Sequence, residues 1–168
     1  AHYYNYKKEK GMSVLKHLFF LVSLLCSPSW LLAANPSINE LNSCFALVDF
    51  VDSKLDEFAG NYAKEDVLAV HAGLSAYGGF LQNDMIKPKL LNMYGGNEAQ
   101  AKLMQALFDR QKASFYKALN GRYTEKKLFT EYAAGINDCR ANVSIPPAIA
   151  KTLNTAINTM IKMARQRP

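Results

Sequence analysis

The stretch VLAVHAGLSAYGGFLQNDM, Val67 to Met85, decides the fold. Between Asp66 and Asp84 it carries no charge. At helical spacing Val67, Val70, Leu74, Tyr77, Leu81 and Met85 share one face, while the opposite face shows Leu68, Ala69, Ala72, Ala76 and Gly79. A helix apolar on nearly all sides is buried on nearly all sides. The stretch therefore predicts a central helix with other helices laid against both faces. A membrane span is the rival reading. It needs about 20 predominantly apolar residues, and this run is interrupted by His71, Gly73, Ser75, Gly78, Gly79, Gln82 and Asn83. The core helix is adopted.

On the N-terminal side, Ser37-Ile38-Asn39-Glu40 is a capping box that starts a first helix. Leu41, Cys44, Phe45, Val48, Val51, Leu55 and Ala59 fall on one side of it, and Gly60 is its expected C-terminal cap. Asp49, Asp52 and Asp56 recur at helical spacing on the same segment. A solvated acidic edge is preferred there to a calcium site, because calcium sites converge oxygens from several directions.

On the C-terminal side, Pro88 is expected to stop or kink the central helix, with a short helical turn from Lys89 to Tyr94 before Gly95-Gly96. A third helix runs from Glu98 to Leu119 behind Asn97 as cap, with an apolar stripe of Met104, Leu107, Phe108, Phe115, Ala118 and Leu119. Gln111 falls within that stripe. A buried amide must find partners, so Gln111 is a candidate binding residue, with a bond inside its own fold as the plainer reading. A fourth helix starts at Thr124, with Leu128, Tyr132, Gly135, Ile136 and Cys139 on one side, and Ser144-Ile145-Pro146-Pro147 ends it. A fifth, Ala148 to Arg165, carries Ile149, Leu153, Ile157, Met160 and Ala164 against a polar far side of Thr152, Asn154, Thr155, Asn158 and Thr159. No stretch alternates like a strand for long. The fold class is all-α: a disulfide-tethered helical bundle, four main helices up-and-down plus a fifth C-terminal helix.

Ahead of this domain, Met12 is followed by Lys16 and His17, the apolar block Leu18 to Leu25, Pro28 and Ala33-Ala34. A basic start, an apolar middle and a small-residue end make a secretory signal peptide over 12–34, cut after Ala34. Residues 1–11 read as upstream sequence, and residues 35–168 as one helical domain of 134 residues, enough for a single core. Four of the 20 Lys and Arg and one of the 14 Asp and Glu precede Asn35, which leaves 16 and 13, a net charge of +3. That small excess speaks against nucleic acid as a partner. Cleavage leaves no membrane anchor and removes Cys26, so Cys44 and Cys139 remain in a chain addressed to an oxidising compartment. Each lies on an apolar stripe, and in up-and-down order helices one and four bring them to the same end of the bundle. A Cys44–Cys139 disulfide is expected.

Chemistry is sparse. After the leader the one histidine is His71, and no His-Glu-x-x-His, Cys-x-x-Cys or phosphate-binding glycine loop occurs. No metal or cofactor is expected. His71 and Ser75 lie four apart, but a nucleophile also needs a third group and an oxyanion hole. His71 reads as a core-edge residue bonded to a carbonyl or carboxylate, and as a candidate binding residue. The expectation is a non-enzymatic periplasmic or extracellular protein that binds a protein or small ligand. An inhibitor or an enzyme centred on His71 are the alternatives. In leader, size, helices and two cysteines the chain resembles small secreted helical proteins with one disulfide, immunity proteins among them. That resemblance implies a protein partner.

Overall fold

The computed structural model describes residues 35–166; the predicted leader with Cys26, residues 1–11 and Arg167 lie outside the described residues. Helix α1, Ile38–Phe58, opens on the predicted capping box: the Ser37 amide donates to Glu40 Oε2 at 2.6 Å and the Glu40 amide to Ser37 Oγ at 3.2 Å. At its end Gly60 does not form a left-handed cap. The chain tightens instead into a 3-10 turn, Ala59–Asn61.

Helix α2, Lys64–Phe80, passes through a π-helical turn, Leu81–Ile86, into α3, Lys87–Met93. Pro88 therefore does not stop the helical path. It sits in the first turn of α3, where its missing N–H costs least. The wider turn before it, closed by the Lys87 amide on the Gln82 carbonyl, gives the ring room that a regular α-turn lacks. The stop comes at Gly95 and Gly96, with φ of 60° and 84°, whose amides donate to the Asn92 and Leu91 carbonyls. This left-handed ending suits glycine, which has no Cβ to clash.

Helix α4, Glu98–Asn120, starts where Asn97 Oδ1 accepts the Gln100 amide at 3.1 Å. The single fourth helix read from sequence is two: α5, Glu125–Phe129, and α6, Glu131–Ala141, separated at Thr130. The Thr130 hydroxyl donates back to the Lys126 carbonyl at 2.6 Å, which holds the break. Helix α7, Pro147–Arg165, begins on a proline whose fixed φ already suits a first turn.

The described residues contain helices and no strand. The contacts give the order up, down, up, down, up. Asp52 of α1 meets His71 of α2 and Val48 lies near Gly78, so α1 and α2 are antiparallel. Asp49 meets Tyr116 and Glu57 meets Tyr123, so α1 and α4 run the same way. The Cys44 and Cys139 sulfurs are 2.13 Å apart with Cα atoms at 5.8 Å, and Gly135 lies against Leu47, so α6 returns antiparallel to α1. Asp66 meets Lys162 near one end of α2, and Gly73 meets Ala156 further along, so α7 is antiparallel to α2.

The expectation for α2 is met on two sides only. Val70, Leu74, Tyr77 and Leu81 are fully buried between α1 and α7. Leu68, 55% exposed, with Ala72 and Ser75 forms a solvent-facing edge. Low charge on that edge therefore does not report burial, because alanine and serine are indifferent to water. Helix α1 touches more of the other elements than α2 does: it packs on α2, the π-turn, α4, α5 and α6. Its buried Phe50 lies edge-on to Tyr116 and Tyr123, with centroids 5.4 Å away, and to Tyr132 at 6.2 Å.

Where α2 and α7 cross, a Cβ placed on Gly73 would lie 2.4 Å from Ala156 Cβ and 2.6 Å from the Thr152 carbonyl oxygen. Backbone oxygen cannot rotate away. Gly73→Ala should therefore push the helices apart, at a cost of about 1–3 kcal/mol. Thermal melts are expected to fall by roughly 4–15 °C. An unchanged melt would show that the two helices are not in close contact.

Candidate functional site

On the α1–α2 seam His71 lies between two carboxylates. Nδ1 is 2.5 Å from Asp52 Oδ1 and Nε2 is 3.0 Å from Asp56 Oδ1. Burial works against charge on the ring, but the bonds to Asp56 and Asp52 outweigh it and raise its pKa above the ordinary value. Burial pushes Asp52 up, and its bond to His71 pulls the other way. With both ring nitrogens facing acceptors, the doubly protonated imidazolium fits best. Such a ring has no lone pair for general-base work. Ser75 is exposed, and the hydroxyl makes no bond to His71 among the described residues.

The linkage has a definite sign. A histidine whose folded pKa is raised contributes fully below its unfolded value of about 6.5 and loses that contribution as pH rises through the folded value. The wild-type melting temperature should drop by a few degrees across that rise. His71→Gln should lower stability modestly, by about 0.5–1.5 kcal/mol, and flatten this pH dependence. Melts at stepped pH check both. An equally steep fall in the variant would rule out the clamp.

The Asp49–Asp52–Asp56 edge is bonded within the fold. Lys112 Nζ lies 2.9 Å from Asp49 Oδ2, and the Tyr116 hydroxyl donates to the same oxygen. Burial and that bond raise the Tyr116 pKa. Further along, Glu57 accepts from Tyr123 and from Lys54 at 2.7 Å. Among the described residues no group of three or more His, Cys, Asp or Glu is placed to hold a metal ion.

Gln111 is not buried. It is exposed on α4, as are Ala118 and the 41%-exposed Leu107 of the expected stripe. The inward face of α4 is instead Phe108, Lys112, Phe115, Tyr116 and Leu119. Met104, Phe108, Phe115 and Leu119 of the expected stripe do face the core; Leu107 and Ala118 do not, because Lys112 and Tyr116, polar at their tips, turn inward to meet Asp49.

Gln111 does border a cleft of about 270 Å³ between the start of α1 and the middle of α4. Asn39, Asn42, Ser43 and Ala46 line one wall, and Gln111, Lys112 and Phe115 the other. Asn42 is the buried polar residue of the described chain, 7% exposed, and its side chain has no hydrogen-bond partner among the described residues. Its amide atoms still reach water at the cleft, since the fully buried side-chain atoms without a partner among the described residues are Tyr77 Oη and Gln82 Oε1. The sequence reading missed Asn42. Its signal is a second stripe on α1, Asn42, Ala46 and Phe50, four residues apart, too mixed in polarity to stand out.

A wider cleft of about 400 Å³ lies beside the cysteine pair, lined by Leu41, Cys44, Gly135, Cys139 and Val143 with Glu40 and Asp138 at its rim. On α7 the polar face turns back on itself: Thr152, Thr155 and Thr159 donate to the Ala148, Lys151 and Thr155 carbonyls. Around the α3–α4 turn, Leu91, Met93, Leu103 and Leu107 stay exposed. No helix among the described residues is long and apolar enough to cross a membrane. No family model, curated protein or solved structure matches the chain.

Proposed function

We propose that the chain is a binding protein of the periplasm or cell exterior, holding its ligand between helices rather than transforming it. The observation that carries the reading is the α1–α4 cleft, where the nearly buried Asn42 and the exposed Asn39, Ser43 and Gln111 line one space. The leader from Met12 to Ala34 and the Cys44–Cys139 pair at bonding distance support the location. The occupied ring nitrogens of His71 disfavour an enzyme centred there. An inhibitor or immunity-type protein is the second reading, favoured by the exposed apolar side chains around the α3–α4 turn.

The location is tested by the mass of the exported protein, expected to begin at or near Asn35. A mass that retains Cys26 would overturn it. Binding is tested by immobilising the mature chain and exposing it to an envelope extract split into protein and small-molecule fractions. Saturable retention is expected, unchanged in His71→Gln. Retention of nothing from either fraction counts against binding. Turnover lost in His71→Gln with an unchanged melting temperature would establish the enzyme alternative.

A further inference from the structure

We infer that the α1–α4 cleft is a site for a neutral, polyhydroxylated small molecule, a saccharide unit of about one ring. The inference rests on the binding reading above and names its ligand class. Charge is the first consideration. Lys112, the one cation lining the cleft among the described residues, is already paired with Asp49 at 2.9 Å, and its ammonium lies 4.9 Å from the Phe45 ring centre. Among the described residues no carboxylate lines the cleft. An anionic or cationic ligand would therefore find no unpaired opposite charge.

The polar lining is of another kind. Asn39, Asn42 and Gln111 each present an acceptor and two donors, and Ser43 adds a hydroxyl. Groups that both donate and accept match hydroxyls, which also do both. Asn42, 7% exposed, lines the cleft with no hydrogen-bond partner among the described residues, so its amide is available to a ligand hydroxyl. Phe115, half-buried on the α4 wall, offers the apolar surface on which the C–H face of a sugar ring packs. The size agrees: about 270 Å³ holds on the order of nine waters, the space of one ring with its hydroxyls.

The experiment is titration of the ¹⁵N-labelled mature protein with glucose, galactose, mannose and N-acetylglucosamine, and with glucuronate as the charged control. Saturable shifts of the Asn42 and Gln111 side-chain amides are expected with at least one neutral sugar. Gln111→Leu, a change at an exposed position, should weaken that binding by about tenfold or more with the melt unchanged. Asn42→Leu should abolish binding while the domain still melts cooperatively, because it removes the amide that lines the cleft. Binding that survives both substitutions would place the site elsewhere and overturn the proposal. Binding of glucuronate alone would overturn the neutral class. If no sugar binds while the envelope capture succeeds, the saccharide assignment falls and the binding reading stands; if both fail, both fall.

Discussion

Leu74→Asp is expected to abolish the cooperative thermal transition and most of the helical circular dichroism. Leu74 is fully buried in α2 between α1 and α7. Losing its side chain alone costs about 2–5 kcal/mol. An unpaired buried carboxylate adds several more, even after relaxation. The sum rivals the whole stability of a domain this size, about 5–15 kcal/mol. Protonation of the new aspartate would reduce the penalty, so the variant should recover structure in acid before it does so at neutral pH. Lys117→Asp is the control. Lys117 is exposed in the last turn of α4, where the helix dipole favours a cation, so its replacement should cost no more than about 1 kcal/mol. Equal and mild effects from the two substitutions would remove α2 from the core.

The second large effect concerns Cys44 and Cys139. Thiol counting on the denatured, non-reduced chain from Asn35 to Pro168 should find none free, and two free thiols would contradict the pairing. The bridge spans 95 residues, and chain-entropy reasoning gives an upper contribution of about 4–5 kcal/mol for a loop of that length. Cys139→Ser, or reduction, should therefore lower stability by about 2–5 kcal/mol. On melting this is a fall on the order of 10 °C or more. The effect should be the same in magnitude for Cys44→Ser, and the double variant should cost little beyond either single one. Additive losses would mean that the two side chains act separately.

Features set by neighbouring residues were legible in the sequence itself. The Ser37–Glu40 box and the Asn97 cap use donors and acceptors within one turn, so nothing elsewhere in the chain alters them. The stop at Gly95-Gly96 is equally local, because it depends on the absence of Cβ. The core side of α2 was legible from Val70, Leu74, Tyr77 and Leu81 at one spacing. The cysteine pairing followed from two residues on apolar stripes and an up-and-down order, since only one end of the bundle could hold both.

Other features depend on which surface a neighbouring helix offers, and composition does not encode that. Leu68 points to water because no helix lies on that side of α2, and not because of anything in its own segment. Met104, Phe108, Phe115 and Leu119 of α4 face the core as their spacing predicted, whereas Leu107 and Gln111 do not. Asp49 and Phe50 of α1 turn the edge of that face toward Lys112 and Tyr116, because an aspartate at the seam needs both, and a buried ring takes Tyr116 edge-on. That rotation turns Gln111 outward and leaves Asn42 facing a cleft. The sequence alone determined that the chain is helical, the capped starts at Ser37 and Asn97, and the covalent tie between α1 and α6, but not the passage through Pro88 or the break at Thr130. The tertiary structure decided the rotation of α4 against α1, because side chains far apart in the chain had to satisfy each other's charge and shape there, and the candidate site lies on that seam.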